Sequence, residues 1–277
     1  MSKDQYQKPF LKWAGGKYKL LNILLPEIST GGGRFIEPFV GSGVVFLNLF
    51  EEYANIVVGD SNPDLINLYS ILKADASIFI PELKAEYFDG ASHNEQAYYA
   101  HRLKFNSETD VRERAKLFVY LNRHCFNGLC RYNSKGEFNV PFGKYKTIYF
   151  PEEELYEFQV RARNVEFKKS DFVDLTDIAV SGDTVYMDPP YVPLTTTSNF
   201  SDYSSDGGFN HAKQKELAAT AEKLKQRGVR VVISNHDTDE SRNLYCNADR
   251  IISIKAPRRI SSNGSRAEAP ELLAIYE

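Results

Sequence analysis

Asp188, Pro189, Pro190 and Tyr191 form the segment of this sequence that is best suited to chemistry. They follow the apolar run 185–187, a predicted strand, so the Asp188 carboxylate is expected at a strand's carboxyl end, where open α/β sheets bind ligands. Proline has no backbone N–H, so the two prolines leave carbonyl oxygens that only accept hydrogen bonds. A carboxylate beside such a carbonyl can hold both N–H groups of an aryl amine and orient its lone pair toward an electrophile, while Tyr191 stacks on a flat base. The alternative is a proline-rich turn with a solvated aspartate.

A glycine loop, Gly41-Ser42-Gly43, follows a short apolar run, and Asp60 lies nineteen residues beyond Gly41 at the end of the next predicted strand. This layout is typical of a nucleoside-cofactor site, in which glycines let the backbone approach the ligand and the acid binds ribose hydroxyls. Phe46 stands where a dinucleotide fingerprint has its third glycine, which argues against an NAD enzyme. A plain tight turn into a helix is the alternative.

Alternating strands and helices are needed to position these residues. Strands are predicted at 34–38, 55–60, 165–168, 184–187, 229–234, 251–254 and 272–275. Helices are predicted at 44–49, 65–73 and 211–227. Asn62 is a suitable N-cap for the second helix, and Leu217, Ala221 and Leu224 share one face of the third. The alternation predicts an α/β fold with a largely parallel sheet covered by helices.

An insertion is predicted at 75–160, where the strand-helix rhythm stops. This stretch has helical patterns rich in tyrosine and charge, clearest at 111–124, and a turn at 133–136. Between residues 112 and 146 it carries eight Lys and Arg against two acids, which suits a polyanionic partner although the chain's net charge is −3. A solvated surface is the alternative. The sheet domain is therefore predicted to be discontinuous, formed by 1–74 and 161–277.

Composition excludes several classes of protein. Hydrophobic residues make up 42% of the 277 residues and charged residues 26%, which excludes a disordered or low-complexity chain. The amino-terminal segment has no apolar signal core, and no stretch approaches the roughly 18 apolar residues of a membrane helix. Three cysteines without a C-x-x-C pair indicate a reducing compartment and no zinc site. We expect a soluble, cytoplasmic protein without membrane association.

Three segments resemble, in sequence order, the hallmark segments of the Dam-type DNA adenine-N6 methyltransferase family: FLKWAGGK at 10–17, EPFVGSG at 37–43 and DPPY at 188–191. The stretch 121–145 resembles the DNA-reading segment of that family, and the likeness covers about residues 8 to 276. The resemblance implies a Rossmann-like methyltransferase sheet with an inserted, mainly helical target-recognition domain at 75–160.

The activity implied by the resemblance is site-specific methylation of DNA. A methyl group would pass from S-adenosyl-L-methionine to N6 of an adenine flipped out of double-stranded DNA at GATC, leaving S-adenosyl-L-homocysteine and using no metal. Asp188 would be the catalytic acceptor, Pro189 would lend its carbonyl, and Tyr191 would stack on the adenine. The implied protein is a bacterial or phage-encoded monomer associated with the nucleoid. The sequence leaves open a solitary, a restriction-modification or a phage role.

Cofactor-binding positions also follow from the resemblance. Asp60 matches the ribose-binding acid, and Asp171 and Phe172 match a strand end beside the cofactor's adenine. Trp13 and Lys17 match cofactor contacts, whereas without the resemblance Trp13 reads as a core residue and Lys17 as a surface charge. The implied cofactor-binding set is Trp13, Ala14, Gly15, Lys17, Glu37, Pro38, Phe39, Gly41, Ser42, Gly43, Asp60, Asp171, Phe172 and Asp188.

DNA-binding positions are implied in the same way. Lys12 and Arg131 match residues that contact guanines, and Leu129 and Pro141 match contacts to a thymine methyl group, pairings that suit the major groove. Phe126 and Asn127 match a wedge inserted where the flipped base leaves the stack. Phe126 replaces a common tyrosine, and Lys144 replaces a common arginine, losing its bidentate fork. The implied DNA-binding set is Lys12, Arg123, Phe126, Asn127, Leu129, Arg131, Asn139, Pro141, Lys144 and Tyr145.

Several weaker signals remain. His236 and Asp237 are adjacent on an extended segment, so their side chains are expected to point to opposite sides and not to form a catalytic dyad. Cys125 and Cys130 are expected to be buried thiols. The basic stretch 258–266 is either a phosphate-binding loop or a plain surface loop. Two rival functions are methylation of a protein glutamine or RNA, and non-catalytic DNA binding.

Overall fold

A seven-stranded sheet forms the centre of the computed structural model, which describes residues 6–29, 32–192, 209–257 and 268–277. The strands are β1 (Phe35–Glu37), β2 (Ile56–Asp60), β3 (Val165–Lys169), β4 (Thr184–Met187), β5 (Arg230–His236), β6 (Arg250–Pro257) and β7 (Glu268–Tyr276). Their order across the sheet is β3-β2-β1-β4-β5-β7-β6. Strands β1 to β5 pair in parallel, and β7 runs antiparallel between β5 and β6. The predicted, largely parallel α/β sheet is confirmed.

Helices cover both faces of the sheet. They are α1 (Leu21–Ile28), α2 (Pro63–Tyr87), α3 (Glu95–Ser107), α4 (Val111–His124), α5 (Glu152–Arg161), α6 (Phe172–Asp177), α7 (His211–Gln226) and α8 (Asp239–Leu244). Successive strand side chains point to opposite faces, so Phe35 packs with α1, α2 and α5, while Ile36 packs with α6 and α7. The prediction for 111–124 is confirmed to the residue, and that for 211–227 to within one residue.

The glycine loop does not lead into an α-helix, so the prediction of a helix at 44–49 was wrong. The chain forms only a 3₁₀ turn, Phe46–Asn48, after the loop. Residues 44–47 are all buried, so the segment has no polar face to present to water as an amphipathic helix does. The Asn48 side chain also donates to the Val44 carbonyl at 2.8 Å, taking the acceptor of an α-helical backbone bond.

Helix α2 begins as predicted and extends fourteen residues beyond the predicted end at 73. The Asn62 side chain accepts hydrogen bonds from the backbone N–H groups of Asp64 and Leu65, which confirms the N-cap. Its buried stripe continues through Leu72, Ala76, Phe79, Ile80 and Leu83, which keeps the helix packed to residue 87. A kink at Asp75, with φ −151° and ψ 43°, coincides with the predicted start of the insertion.

The region between α2 and α5 contains two further helices and a short hairpin. Helices α3 and α4 pack together, and α4 also packs on α2. After α4, Tyr132 pairs with Phe138 in an antiparallel bridge around the turn at 133–136. We call residues 129–142 the reader hairpin, after the DNA-reading segment that the stretch 121–145 resembles. A second bridge, Cys125 with Phe142, fixes the base of this hairpin to the end of α4.

Candidate functional site

Three carboxylates lie at the carboxyl ends of neighbouring parallel strands. Glu37 ends β1, Asp60 ends β2, and Asp188 follows β4, in the strand order β2-β1-β4. The parallel pairing therefore gathers side chains that are far apart in sequence at one edge of the sheet. This placement agrees with the strand-end position expected for Asp188.

Lys17 faces Asp188 across the site. Its Nζ lies 3.0 Å from Asp188 Oδ2, donates to the Gly15 carbonyl at 2.7 Å and lies 4.6 Å from the centre of the Tyr191 ring. Only 4% of Lys17 is exposed, so the reading of this residue as a surface charge was wrong. The second Asp188 oxygen, Oδ1, is buried and accepts no hydrogen bond from the described residues.

Burial raises the pKa values of the site carboxyls. The pKa of Asp188 is raised by burial, and the Lys17 ammonium opposes the shift. Burial and the charge of Asp188 raise the pKa of Glu37 well above its ordinary value. Glu37 Oε2 is also buried without a partner among the described residues. Burial raises the pKa of Asp60, opposed by backbone N–H groups that include that of Gly41.

The loop after β4 is held by two amide side chains that sequence reasoning missed. Gln214 of α7 donates through Nε2 to the Pro190 carbonyl at 2.7 Å. Asn235 of β5 accepts from the Val192 N–H at 3.0 Å and donates to Gln214 Oε1 at 3.1 Å. Both amides are almost completely buried. They engage the loop on both sides of Tyr191, and Gln214 occupies the Pro190 carbonyl.

A signal for these amides exists in the sequence. Gln214 lies one turn before Leu217 on the apolar face of α7, and Asn235 lies two residues after the apolar run of β5. A buried amide must find hydrogen-bond partners, so a polar residue on an apolar face points to a built contact. The partners themselves lie 24 and 43 residues away and could not be read from local pattern.

His236 and Asp237 have separate partners, as predicted. His236 Nδ1 lies 2.7 Å from the Val192 carbonyl, and its ring meets the Tyr191 ring edge-on at 4.8 Å. Asp237 instead forms a two-oxygen ion pair with Arg242. Tyr191 also donates its hydroxyl to Glu271 at 3.0 Å. The histidine lines the pocket and helps to orient the tyrosine ring.

The glycine loop lies against Trp13. Gly41 has φ +46°, and a Cβ at this position would lie 2.7 Å from the Trp13 ring nitrogen, so only glycine fits. The Gly41 N–H donates to Asp60 Oδ2 at 3.2 Å, and the Tyr69 hydroxyl donates to the Gly41 carbonyl at 2.6 Å. The loop, Trp13 and Asp60 therefore form one wall. Gly43, with φ +75°, packs on the Phe46 ring.

Aromatic rings form a second wall beside the glycine loop. Phe39 stacks on Phe172 at 5.5 Å and 25°, and Phe209 meets Phe39 edge-on. Asp171 caps α6 by accepting from the Val173 N–H at 3.0 Å. Phe39, Asp171 and Phe172 thus lie together at one end of the site.

Lys12 is attached to the end of α4 through Asn122, which sequence reasoning missed. The Asn122 side chain accepts from the Lys12 N–H at 2.9 Å and donates to the Lys12 carbonyl at 2.8 Å. Lys12 Nζ lies 4.0 Å from the centre of the Tyr145 ring, and burial with the nearby Arg123 lowers its pKa. A Cβ on Gly128 would lie 2.2 Å from Lys12 Cβ. Lys12 therefore lies between the residues that flank the reader hairpin, Gly128 before it and Tyr145 after it.

The reader hairpin exposes several of the predicted DNA-binding residues. Arg131 donates through Nε to Asn139 Oδ1 at 2.7 Å across the hairpin, and Arg131 is exposed. Phe126 is 49% exposed, and Asn127 beside it has φ +55° and donates its N–H to the Tyr145 hydroxyl. The remaining exposed or half-buried members of the predicted set are Arg123, Leu129, Pro141 and Lys144.

The cysteines show no sign of a metal centre. Cys125 is buried, and burial raises the pKa of its thiol to about 12. Cys130 is only half-buried, so the prediction of a buried thiol is confirmed for Cys125 alone, and Cys130 Sγ accepts from Asn62 Nδ2 at 3.4 Å. Within the described residues no group of three His, Cys, Asp or Glu side chains could hold a metal ion, and no helix is long and apolar enough to cross a membrane. The predicted basic loop at 258–266 lies outside the described residues.

Comparison with known proteins decides the family. Residues 13–260 match the family described as D12 class N6 adenine-specific DNA methyltransferase. The chain belongs to this family. The D12-class chain is 46% identical to the DNA adenine methylase of Serratia marcescens, over 97% of this chain and 98% of the relative. It is 46% identical to that of Vibrio cholerae, covering 98% and 96%, and 44% identical to that of Escherichia coli K12, covering 98% and 95%.

The D12-class assignment makes the protein an adenine-N6 DNA methyltransferase and confirms the predicted family and activity. It excludes the two rival functions, methylation of a protein glutamine or RNA and non-catalytic DNA binding. Among solved structures, the C-terminal domain of a precorrin-6Y C5,15-methyltransferase from Rhodobacter capsulatus is 11% identical, with a TM-score of 0.44 over 100% of this chain and 99% of that one.

Proposed function

We propose that this enzyme methylates N6 of an adenine flipped out of double-stranded DNA at GATC, with S-adenosyl-L-methionine as methyl donor. The observation that carries the proposal is Asp188 Oδ1, which lies buried at a strand end beside Pro189 and has no hydrogen-bond partner in the part of the chain that the structure describes. Gln214 takes the Pro190 carbonyl, so the Pro189 carbonyl and Asp188 make up the acceptor pair for an exocyclic amine. Tyr191, oriented by Glu271 and His236, supplies the ring that stacks on the base.

The walls of the site fit the proposed methyl donor. Asp60 suits ribose hydroxyls, and Phe39 with Phe172 suits a purine ring, in keeping with the strand-end site of the fold. Gly41 has no side chain and lets the Trp13 ring lie against the loop, and Glu37 Oε2, which has no partner among the described residues, is an acceptor for a cationic group. When bound, the donor supplies an electrophilic methyl group on a positively charged sulfur. No metal is needed for this chemistry.

The chain's own residues then act on the adenine amine. Asp188 and the Pro189 carbonyl accept its two N–H bonds, which orients the nitrogen lone pair toward the methyl carbon. As N6 gains positive charge in the transition state, the Asp188 carboxylate stabilises it in a site shielded from water. The Lys17 ammonium favours the ionised form of Asp188, against the burial that raises the pKa of this carboxyl. No covalent intermediate with the enzyme is formed.

Extrusion of the adenine costs about a few kcal/mol in lost stacking and pairing. Phe126 and Asn127, exposed at the end of α4, are placed to fill the space that the base leaves. Lys12 and Arg131 suit guanine edges, and Leu129 and Pro141 suit a thymine methyl group in the major groove. Arg123, Asn139, Lys144 and Tyr145 complete this surface by contacting phosphates or supporting the readers.

The bounds of the insertion separate the two domains that we propose. Residues 1–74 and 161–277 form the catalytic domain, and 75–160 form the target-recognition domain. We propose a monomer that acts in the cytoplasm on nucleoid DNA.

The test is digestion of plasmid DNA from methylation-deficient cells that express the chain. A nuclease that N6-methyladenine blocks at GATC should leave the plasmid uncut when the parent chain is expressed and should cut it when Asp188→Ala is expressed. A nuclease that tolerates N6-methyladenine at GATC should cut both plasmids. Asp239→Ala, an exposed aspartate at the start of α8, is the matched control and should protect fully. Protection by Asp188→Ala would refute the assigned acceptor, and methylation found only at another sequence would refute GATC.

A further inference from the structure

A buried carboxylate joins the cofactor side of the sheet to the reader hairpin. Asp64, in the first turn of α2, is only 6% exposed. Arg114 of α4 binds it with two parallel bonds, Nε to Oδ1 at 2.5 Å and Nη2 to Oδ2 at 3.0 Å. The Tyr132 hydroxyl of the reader hairpin donates to Oδ2 at 2.6 Å. We call these three residues the Asp64 junction.

A second contact runs beside the junction. Asn62, which caps α2, donates through Nδ2 to Cys130 Sγ at 3.4 Å, and its N–H donates to Asp60 Oδ1 at 3.0 Å. The segment that carries the proposed ribose-binding acid is therefore connected to the hairpin at residues 130 and 132. Arg131 lies between these two positions and is exposed. Because neighbouring residues of an extended strand face opposite sides, two inward contacts fix the outward direction of Arg131.

We propose that Tyr132 is a specificity-determining positioning residue, which through the Asp64 junction fixes the reader hairpin relative to the catalytic sheet so that Arg131 meets only the correct base edge. The inference rests on the proposed function, because it takes the hairpin to be the DNA reader. A guanidinium that binds a base in bidentate fashion discriminates by geometry, so a hairpin that tilts loses discrimination before it loses binding.

The contacts of the Asp64 junction indicate which substitution tests the role of Tyr132 without disturbing the fold. Removal of Asp64 would leave Arg114 as a buried charge without its partner, a change that endangers the fold. Tyr132→Phe removes one hydroxyl, leaves the Asp64–Arg114 pair intact and keeps the edge-on contact with Phe138 at 5.8 Å. Tyr120→Phe is a matched control, because the Tyr120 hydroxyl is also buried in the insertion and donates to the Ser92 carbonyl at 2.7 Å, away from the hairpin.

The experiment compares kcat/KM on a GATC duplex with kcat/KM on each duplex that carries one substituted base pair in that sequence. We expect Tyr132→Phe to lower the cognate to near-cognate ratio by about tenfold or more for the base pair read by Arg131. Tyr120→Phe should keep the parent ratio, although both variants lose a buried hydrogen bond and should have similar melting temperatures. An unchanged ratio in Tyr132→Phe, or an equal fall in both variants, would overturn the inference.

Two further variants separate this inference from the proposed function. Arg131→Ala should relax discrimination at one base pair, and if it does not, the reader role of the hairpin and the inference fail together. If Arg131→Ala relaxes discrimination and Tyr132→Phe does not, only the inference fails. If Tyr132→Phe folds poorly, Cys130→Ala tests the inference in its place. This substitution is at a half-buried position and removes the contact with Asn62 that runs beside the Asp64 junction. We expect it to lower the same ratio, and an unchanged ratio would refute the coupling.

Discussion

The ammonium of Lys17 forms a 3.0 Å ion pair with the carboxylate of Asp188, beneath the ring of Tyr191. Burial favours the neutral acid and raises the pKa of Asp188, whereas the Lys17 ammonium favours the carboxylate. The proposed mechanism needs the carboxylate, which stabilises the positive charge that develops on the adenine amine. Lys17 therefore supports the role that we propose for Asp188.

Replacement of Lys17 by methionine should move the acid limb of the kcat profile to higher pH. Burial already raises the pKa of Asp188, and loss of the opposing ammonium raises it further, so protonation and loss of turnover begin at a higher pH. The measurement is kcat against pH at saturating substrates. Lys19→Met, an exposed lysine on the same turn, should leave the limb in place. An acid limb shifted downward in Lys17→Met would contradict the assignment.

Gln214→Leu should lower kcat by up to about 100-fold, because a loop freed to shift by about 1 Å misplaces the Pro189 carbonyl and Asp188. The Pro190 carbonyl would also lose its donor. Dissociation constants for cognate duplex should stay within a factor of about two, since the DNA-reading residues lie elsewhere. Single-turnover rates and filter binding measure the two quantities. Gln226→Leu, at the exposed end of α7, is the control. Equal kcat values for the two variants would disprove that the Gln214 contact with the Pro190 carbonyl positions the loop.

Gly128→Ala should weaken DNA binding and destabilise the fold, whereas Gly136→Ala should do much less. Both glycines have positive φ values, +64° and +74°, so each variant carries the cost of about 1–2 kcal/mol for a left-handed alanine. Only at Gly128 does the new methyl group meet another atom, Lys12 Cβ at 2.2 Å. Thermal melts and duplex titrations of both variants measure the difference. Equal losses would show that the Lys12 contact does not matter.

Asp183→Asn should lower the free energy of unfolding near neutral pH. It should also reduce the amount by which this free energy falls as the pH is lowered. Arg34 binds this buried carboxylate through its side chain and its backbone N–H, and Arg34 lowers the pKa of Asp183. A lowered folded-state pKa gives stability that is present above the unfolded value and is lost as pH falls below about 4. Urea unfolding between pH 2 and 7 tests this, with the exposed Asp177→Asn as control. The prediction would be contradicted if the free energies of unfolding of the parent and Asp183→Asn changed with pH by the same amount.

Local signals predicted the elements that need only neighbours in sequence. The strand at 184–187 and the helix at 111–124 were predicted to the residue, since a short buried apolar run and an acid-capped amphipathic period are both complete within the segment. The Asn62 cap was predicted for the same reason. The placement of Asp188 at a strand end followed directly from these elements.

Features that depend on distant partners were not predicted. From the local pattern alone Lys17 looks like a surface charge, and only the family resemblance marked it as a site residue before the fold brought Asp188, 171 residues away, beside it. Gln214 and Asn122 gain their roles only when the fold supplies a proline carbonyl and the Lys12 backbone. The helix expected after Gly43 failed because a side-chain amide replaced a backbone donor. In each case the deciding contact is a hydrogen bond or ion pair made by the folded chain.

Helix α2 starts beside Asp60, kinks at Asp75, where the backbone angles are not helical, and continues from there to Tyr87. The proposed catalytic and recognition domains thus meet at this kink, with a helical segment of α2 on each side. A foreign recognition module spliced in at residue 75 would keep its orientation only if it reproduced the backbone angles of Asp75, so engineering of new sequence preferences should transplant the helix whole or alter residues on the hairpin alone.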